Sequence, residues 1–103
     1  MNVTSVLSDD RRCLTVSIEG SFDNTLMDEF RATYSEYIYS DMSYIVDFRL
    51  VEKIDSSGLG ILLSMRTLLG SGADIYIVHC NHYIKSILEQ FRFENKFNIH
   101  NLF

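Results

Sequence analysis

The chain has 103 residues, 47% apolar and 22% charged, a composition that suits one soluble globular domain spanning 1–103 and leaves no room for a second core. Its net charge of −5 is uneven, with eleven acids and five bases in residues 1–55 against three and four in residues 56–103, which argues against nucleic acid as a partner because such binding needs a basic face. Proline is absent, the N-terminus carries no leader-like pattern, and no apolar run approaches the ~20 residues of a membrane span, so a cytoplasmic location is expected, with Cys13 and Cys80 reduced and no cofactor required.

Val3–Leu7 and Cys13–Glu19 read as two strands joined by a polar hairpin, and in the second Leu14, Val16 and Ile18 alternate with Cys13, Thr15 and Ser17 as in a sheet with one buried face. Gly20 to Thr25 reads as a turn rich in helix caps. Leu26, Met27, Phe30, Tyr34, Tyr37 and Ile38 then recur at helical spacing over about Asn24–Tyr39. Tyr44–Phe48 is a short β-rich run, expected to be a central strand feeding a junction at Asp55. A second helix should run from about Ser56 to Leu69, with Leu59, Leu62, Leu63, Arg66 and Leu69 in one stripe that Ile61, Met65 and Leu68 broaden until the helix is more than half buried, and stop at Gly70-Ser71-Gly72. Asp74–Val78 is the next strand. Ile84, Ile87, Leu88 and Phe91 mark a third helix, and a last strand is expected near Asn98–Leu102. The order β-β-α-β-α-β-α with an optional final strand implies an α/β fold on a mixed sheet, antiparallel at its opening hairpin and parallel elsewhere.

A catalytic reading is hard to assemble. The chain has no Gly-x-Ser-x-Gly elbow, no phosphate-binding loop with its lysine, no Gly-x-Gly-x-x-Gly and no His-Glu-x-x-His. The run His79-Cys80-Asn81-His82 lacks a second Cys or His pair spaced for zinc, so no metal is expected. Of the six tyrosines and seven phenylalanines, Phe30, Tyr34, Tyr37 and Phe91 fall at core spacing. Tyr39, Phe93, Phe97 and Phe103 are expected to be the exposed remainder, a surface suited to a protein partner or a dimer, although a monomer is slightly favoured.

The most informative stretch is Ile54-Asp55-Ser56-Ser57-Gly58-Leu59-Gly60, where a strand ends and a helix begins. A helix start leaves N–H groups unpaired and carries partial positive charge, so a hydroxyl there is well placed to hold a phosphate. The plainest reading makes Asp55 an N-cap, with the serines filling the first turn. Two glycines, however, cost helix stability, about 1 kcal/mol each in a helix interior. Gly58 and Gly60 are therefore read as clearing the outer face of the first turn for a partner's close approach. Asp23, at the start of the first helix, is expected at the same end of the sheet, which makes a docking surface of two helix starts. Local geometry places Ser56 and Ser57 in the same turn and does not separate them.

These segments, Gly20-Ser21-Phe22-Asp23, Ile45-Val46-Asp47-Phe48 and above all Asp55-Ser56-Ser57-Gly58-Leu59-Gly60, resemble the STAS domain of bacterial anti-sigma factor antagonists. The resemblance covers nearly the whole chain in order and spacing. It implies a sheet of four to five strands with about three helices, the family's C-terminal helix being short or missing. It also implies a non-enzymatic partner switch: a serine kinase that doubles as anti-sigma factor phosphorylates Ser56, and a serine phosphatase removes the phosphate. The unphosphorylated form would bind the kinase through Asp23, Asn24, Asp55, Ser57, Gly58, Leu59 and Gly60. The alternative implied by the same resemblance is a constitutive STAS subunit of a lipid-transport ATPase or a signalling scaffold.

Overall fold

The computed structural model describes residues 2–38 and 40–100. Alternation of buried and half-buried residues along β2 (Cys13–Phe22) and β3 (Ser43–Ile54) directs one face of the sheet inward. Together with β1 (Val3–Leu7), β4 (Asp74–Val78) and β5 (Asn98–His100), these strands form a five-stranded sheet in the order β1-β2-β3-β4-β5, with β3 at its centre. The opening hairpin is antiparallel and every other pair is parallel, so the sheet is mixed as expected. Leu14, Val16 and Ile18 of β2, Tyr44, Val46 and Phe48 of β3, and Ile75 and Ile77 of β4 share one face and join a single core. Three helices cover that face: α1 (Met27–Tyr34), α2 (Ser56–Leu69) and α3 (His82–Gln90), through Phe30 and Tyr34, Leu62 and Met65, and Ile84 and Leu88.

β1 and β4 have the expected bounds, whereas β2 and β3 run further than expected. β2 absorbs Gly20, Ser21 and Phe22, the segment read as a turn, because Gly20 takes φ +88° and the β2–β3 register slips at Ser17/Glu19 and again at Gly20/Ser21. These are bulges, which bend a strand without ending it. On β3 the spacing of buried residues stretches correspondingly, from Tyr44, Val46 and Phe48 to Val51 and Ile54. Register then delivers Phe22 opposite Ile54, so both long strands finish side by side.

The first helix is shorter than its apolar stripe suggests. Asn24–Leu26 and Ser35–Tyr37 are 3-10 turns flanking eight α-helical residues, and Met27 turns outward with 46% exposure. On α2 the buried set is Gly58, Leu59, Ile61, Leu62 and Met65, while Leu63, Arg66, Leu68 and Leu69 are half-buried, so the broad stripe expected is present and its Leu59, Ile61, Leu62 and Met65 lie deepest. The helix still ends where it should, at Gly70 with φ +92°.

Aromatic placement reverses the expectation near the C-terminus. Phe91, read as core, caps α3 with 57% exposure, whereas Phe93 and Phe97, read as exposed, are 3% and 4% exposed and stack at 5.5 Å between centroids. A left-handed Arg92 (φ 59°) and the 3-10 turn Phe93–Asn95 cause the swap by ending the helical register two residues before Phe93. β5 follows and pairs parallel with β4; the expected end of that strand at Leu102, like Tyr39 and Phe103, lies outside the described residues.

Candidate functional site

Because β2 and β3 are parallel and end in register, the segments that follow them emerge together at one edge of the sheet, the usual position for a site in a parallel α/β arrangement. Asp23 follows β2 and Asp55 follows β3, each in extended conformation, and each caps the turn after it. The Asp23 carboxylate accepts from the Thr25 amide at 3.0 Å and from its hydroxyl. That of Asp55 accepts from the Gly58 amide at 3.0 Å, closing the first turn of α2.

A third bond ties the two starts together. The Asn24 amide donates to Ser57 Oγ at 3.0 Å, and the same hydroxyl donates to Asp55 Oδ1 at 2.6 Å. The Ser57 hydroxyl, followed by the Gly58 amide, holds the exposed Asp55 carboxyl below its ordinary value of 3.8. The expected juxtaposition of Asp23 and Asn24 with the start of α2 is thus present, and its linchpin is a serine side chain.

The two serines are not equivalent. Ser57 is half-buried, with its proton and one lone pair engaged. Ser56 is exposed, and its hydroxyl makes no hydrogen bond among the described residues. Successive helical residues point about 100° apart, enough here to send one hydroxyl inward and the other to solvent.

The glycines also differ, which corrects the reading that both clear the outer surface. Gly58 is buried, and a Cβ there would lie 2.2 Å from the Phe22 carbonyl oxygen and 2.8 Å from Ile54 Cγ1, so its bareness serves close packing of α2 on the ends of β2 and β3. Gly60 is exposed, and a Cβ there would meet nothing within 4 Å. Leu59, which the family resemblance implied for the docking surface and helical spacing for the apolar stripe, is 8% exposed and belongs to the core. Asp23, Asn24, Asp55, Ser56, Ser57 and Gly60 keep an accessible position at this edge.

Beside them lies a feature the sequence reading did not single out. A groove of about 240 Å³ between α1 and α2 is lined by Asn24, Met27, Arg31, Ser57, Gly60 and Ile61, among others. Helical spacing alone assigns Met27 to the core stripe; the outward turn follows from the 3-10 geometry before it. Elsewhere, His79 Nε2 lies 2.9 Å from a guanidinium nitrogen of Arg49, and Asn81 caps α3 through the Ile84 amide at 2.8 Å. Among the described residues, no cluster of three or more His, Cys, Asp or Glu forms a metal-ligand set, and no helix is long and apolar enough to cross a membrane.

The chain belongs to the STAS domain family: the family model described as "Mlab, STAS domain" matches residues 5–100. A STAS-domain containing protein of Pseudomonas aeruginosa is 35% identical over 100 residues, covering 96% of this chain and 99% of that protein. Among solved structures, the anti-sigma factor antagonist SpoIIAA in its unphosphorylated form aligns with a TM-score of 0.75 at 16% identity, over 98% of this chain and 89% of that one. The Bacillus cell fate determinant SpoIIAA in the phosphorylated form aligns with a TM-score of 0.72 at 16% identity, over 95% and 90%. At such identities the structural likeness establishes the fold.

Proposed function

We propose that this chain, acting as one STAS domain over residues 1–103, is a non-enzymatic partner switch in the manner of an anti-sigma factor antagonist, with Ser56 as its phosphate acceptor. The observation that carries the reading is the contrast, in one helical turn, between an exposed Ser56 with no hydrogen bond among the described residues and a committed Ser57. The fold shared with SpoIIAA, solved both with and without phosphate, supports it. The unphosphorylated form binds a serine kinase that serves as anti-sigma factor, through Asp23, Asn24, Asp55, Ser57 and Gly60. Phosphate on Ser56 blocks that contact, and a serine phosphatase restores it.

A phosphate adds about −1.5 to −2 charge, and at the first position of α2 the helix dipole tolerates it. No refolding is needed. Against a docked partner, the added charge and its desolvation cost a few kcal/mol, about tenfold in affinity per 1.4 kcal/mol. The test is incubation of the protein with ATP and its cognate serine kinase, followed by mass spectrometry. Phosphate is expected on Ser56 and absent from Ser56→Ala. Calorimetry with the kinase should show Ser56→Asp binding at least about tenfold more weakly; equal affinity would count decisively against the switch.

A second reading follows from the family description, which carries the Mlab name and not that of an antagonist. In it the chain is a constitutive subunit of a lipid-transport ATPase, and the same edge is a permanent interface. Stable co-purification with such an ATPase, together with an unmodified Ser56, would favour it.

A further inference from the structure

We propose that Ser57 is the positioning residue of this switch: its hydroxyl latches the Asp23–Asn24 turn onto the start of α2 and thereby leaves Ser56 as the hydroxyl presented for phosphorylation. The inference rests on the partner-switching reading above and names the device that organises its docking surface. Four groups form one relay, in which the Asn24 amide donates to Ser57 Oγ at 3.0 Å, Ser57 donates to Asp55 Oδ1 at 2.6 Å, and Asp55 Oδ1 also accepts from the Gly58 amide at 3.0 Å. The Asn24–Ser57 bond spans 33 residues of sequence and is the only side-chain hydrogen bond between the two docking segments among the described residues.

Phosphoryl transfer to a serine forms an Oγ–P bond as the bond between the γ-phosphorus and the bridging oxygen of ATP breaks, the hydroxyl proton leaves to a base on the kinase, and ADP departs. At Ser57 the proton already sits against Asp55 and one lone pair is taken by Asn24. Phosphate there would break both bonds and place a dianion against the Asp55 carboxylate, a like-charge contact that costs energy. Ser56 has neither constraint. A hydroxyl is also the one small group that can accept from an amide and donate to a carboxylate at once, so alanine at this position removes the latch and threonine keeps it.

The test uses Ser57→Ala and Ser57→Thr in the full chain. Ser57→Ala should raise the amide exchange rate of Asn24 at least about tenfold and move the NMR titration of Asp55 upward toward 3.8, since the lost hydroxyl is the chief cause of its depression. With the cognate serine kinase and ATP, it should raise KM for modification of Ser56 by about tenfold, roughly one lost charge-assisted hydrogen bond. Ser57→Thr should restore all three. Wild-type KM in Ser57→Ala, or unchanged protection at Asn24, overturns the positioning role while the switch itself stands. Phosphate on Ser57 of the wild-type chain also overturns it. A wild-type chain that takes phosphate on neither serine defeats the partner-switching reading and the positioning role with it.

Discussion

At Gly58 an added Cβ would press on the Phe22 carbonyl, which is strand backbone and cannot give way, whereas at Gly60 it would stand in open space. Gly58→Ala should therefore destabilise the fold by about 2–3 kcal/mol through overpacking. Gly60→Ala, by contrast, should stabilise it by about 0.5–1 kcal/mol through helix propensity and a less flexible unfolded chain. Urea unfolding of the two variants gives both numbers, and matching signs would contradict this division of roles. Asp55 supplies a pH signature at the same scale. Its carboxyl is depressed in the folded protein, so its contribution is complete above the ordinary value of 3.8 and is lost as pH falls through the lower folded value. Amide exchange at Gly58 should accelerate below about pH 4, and Asp55→Ala, which lacks the cap, should show no such acid-dependent step. The Asp55 cap was legible in the sequence because Asp before a helical pattern has a local cause, whereas the turn before the first helix offered several possible caps. The inward turn of Gly58 was not, since it depends on where Phe22 and Ile54 lie.

Among the elements, α2 has its far end fixed by Arg66. That side chain donates to the carbonyl of Gly70 at 3.0 Å and to that of Ala73 at 2.8 Å, and its guanidinium lies 5.3 Å from the centroid of the Phe97 ring. Arg66 thus joins the α2–β4 turn to the segment before β5. Arg66→Met preserves the apolar stem and removes both bonds, so it should cost about 1–3 kcal/mol in chemical denaturation, with Arg66→Lys recovering only part because a lysine offers no planar fork. Sequence periodicity placed this residue on the apolar stripe but said nothing of the carbonyls it serves. Periodicity likewise located β2 and β3 but cut them short, because bulges hide the alternation once the register slips. It lengthened α1, since 3-10 turns at both ends keep nearly the same spacing of apolar residues.

Across the whole molecule, the last part of the chain closes one end of the core. Phe93 and Phe97 stack there after a left-handed Arg92 stops α3, and β5 adds the fifth strand. Phe93→Ala should cost about 3–5 kcal/mol, lowering Tm by roughly 10 °C or more for a domain of this size. Phe91→Ala, two residues away on the surface, should change Tm by only a few degrees, about 0.5 kcal/mol or less. Calorimetry on the pair distinguishes the structural assignment from the simple helical one, which predicts the opposite ranking.

By itself the sequence determined the order of strands and helices, the mixed sheet, the Asp55 cap and the seven-residue junction, because each has a local cause: a hydrophobic period, a capping side chain, a glycine at a helix end. The tertiary structure alone decided which serine faces solvent, which glycine faces the core and how the Asn24 turn is held to α2. Those outcomes depend on two parallel strands ending in register, which brings Phe22 beside Ile54 and the Asn24 amide within reach of Ser57. Partners separated by 33 residues leave no periodic trace, and their contact becomes visible only when the sheet places them side by side.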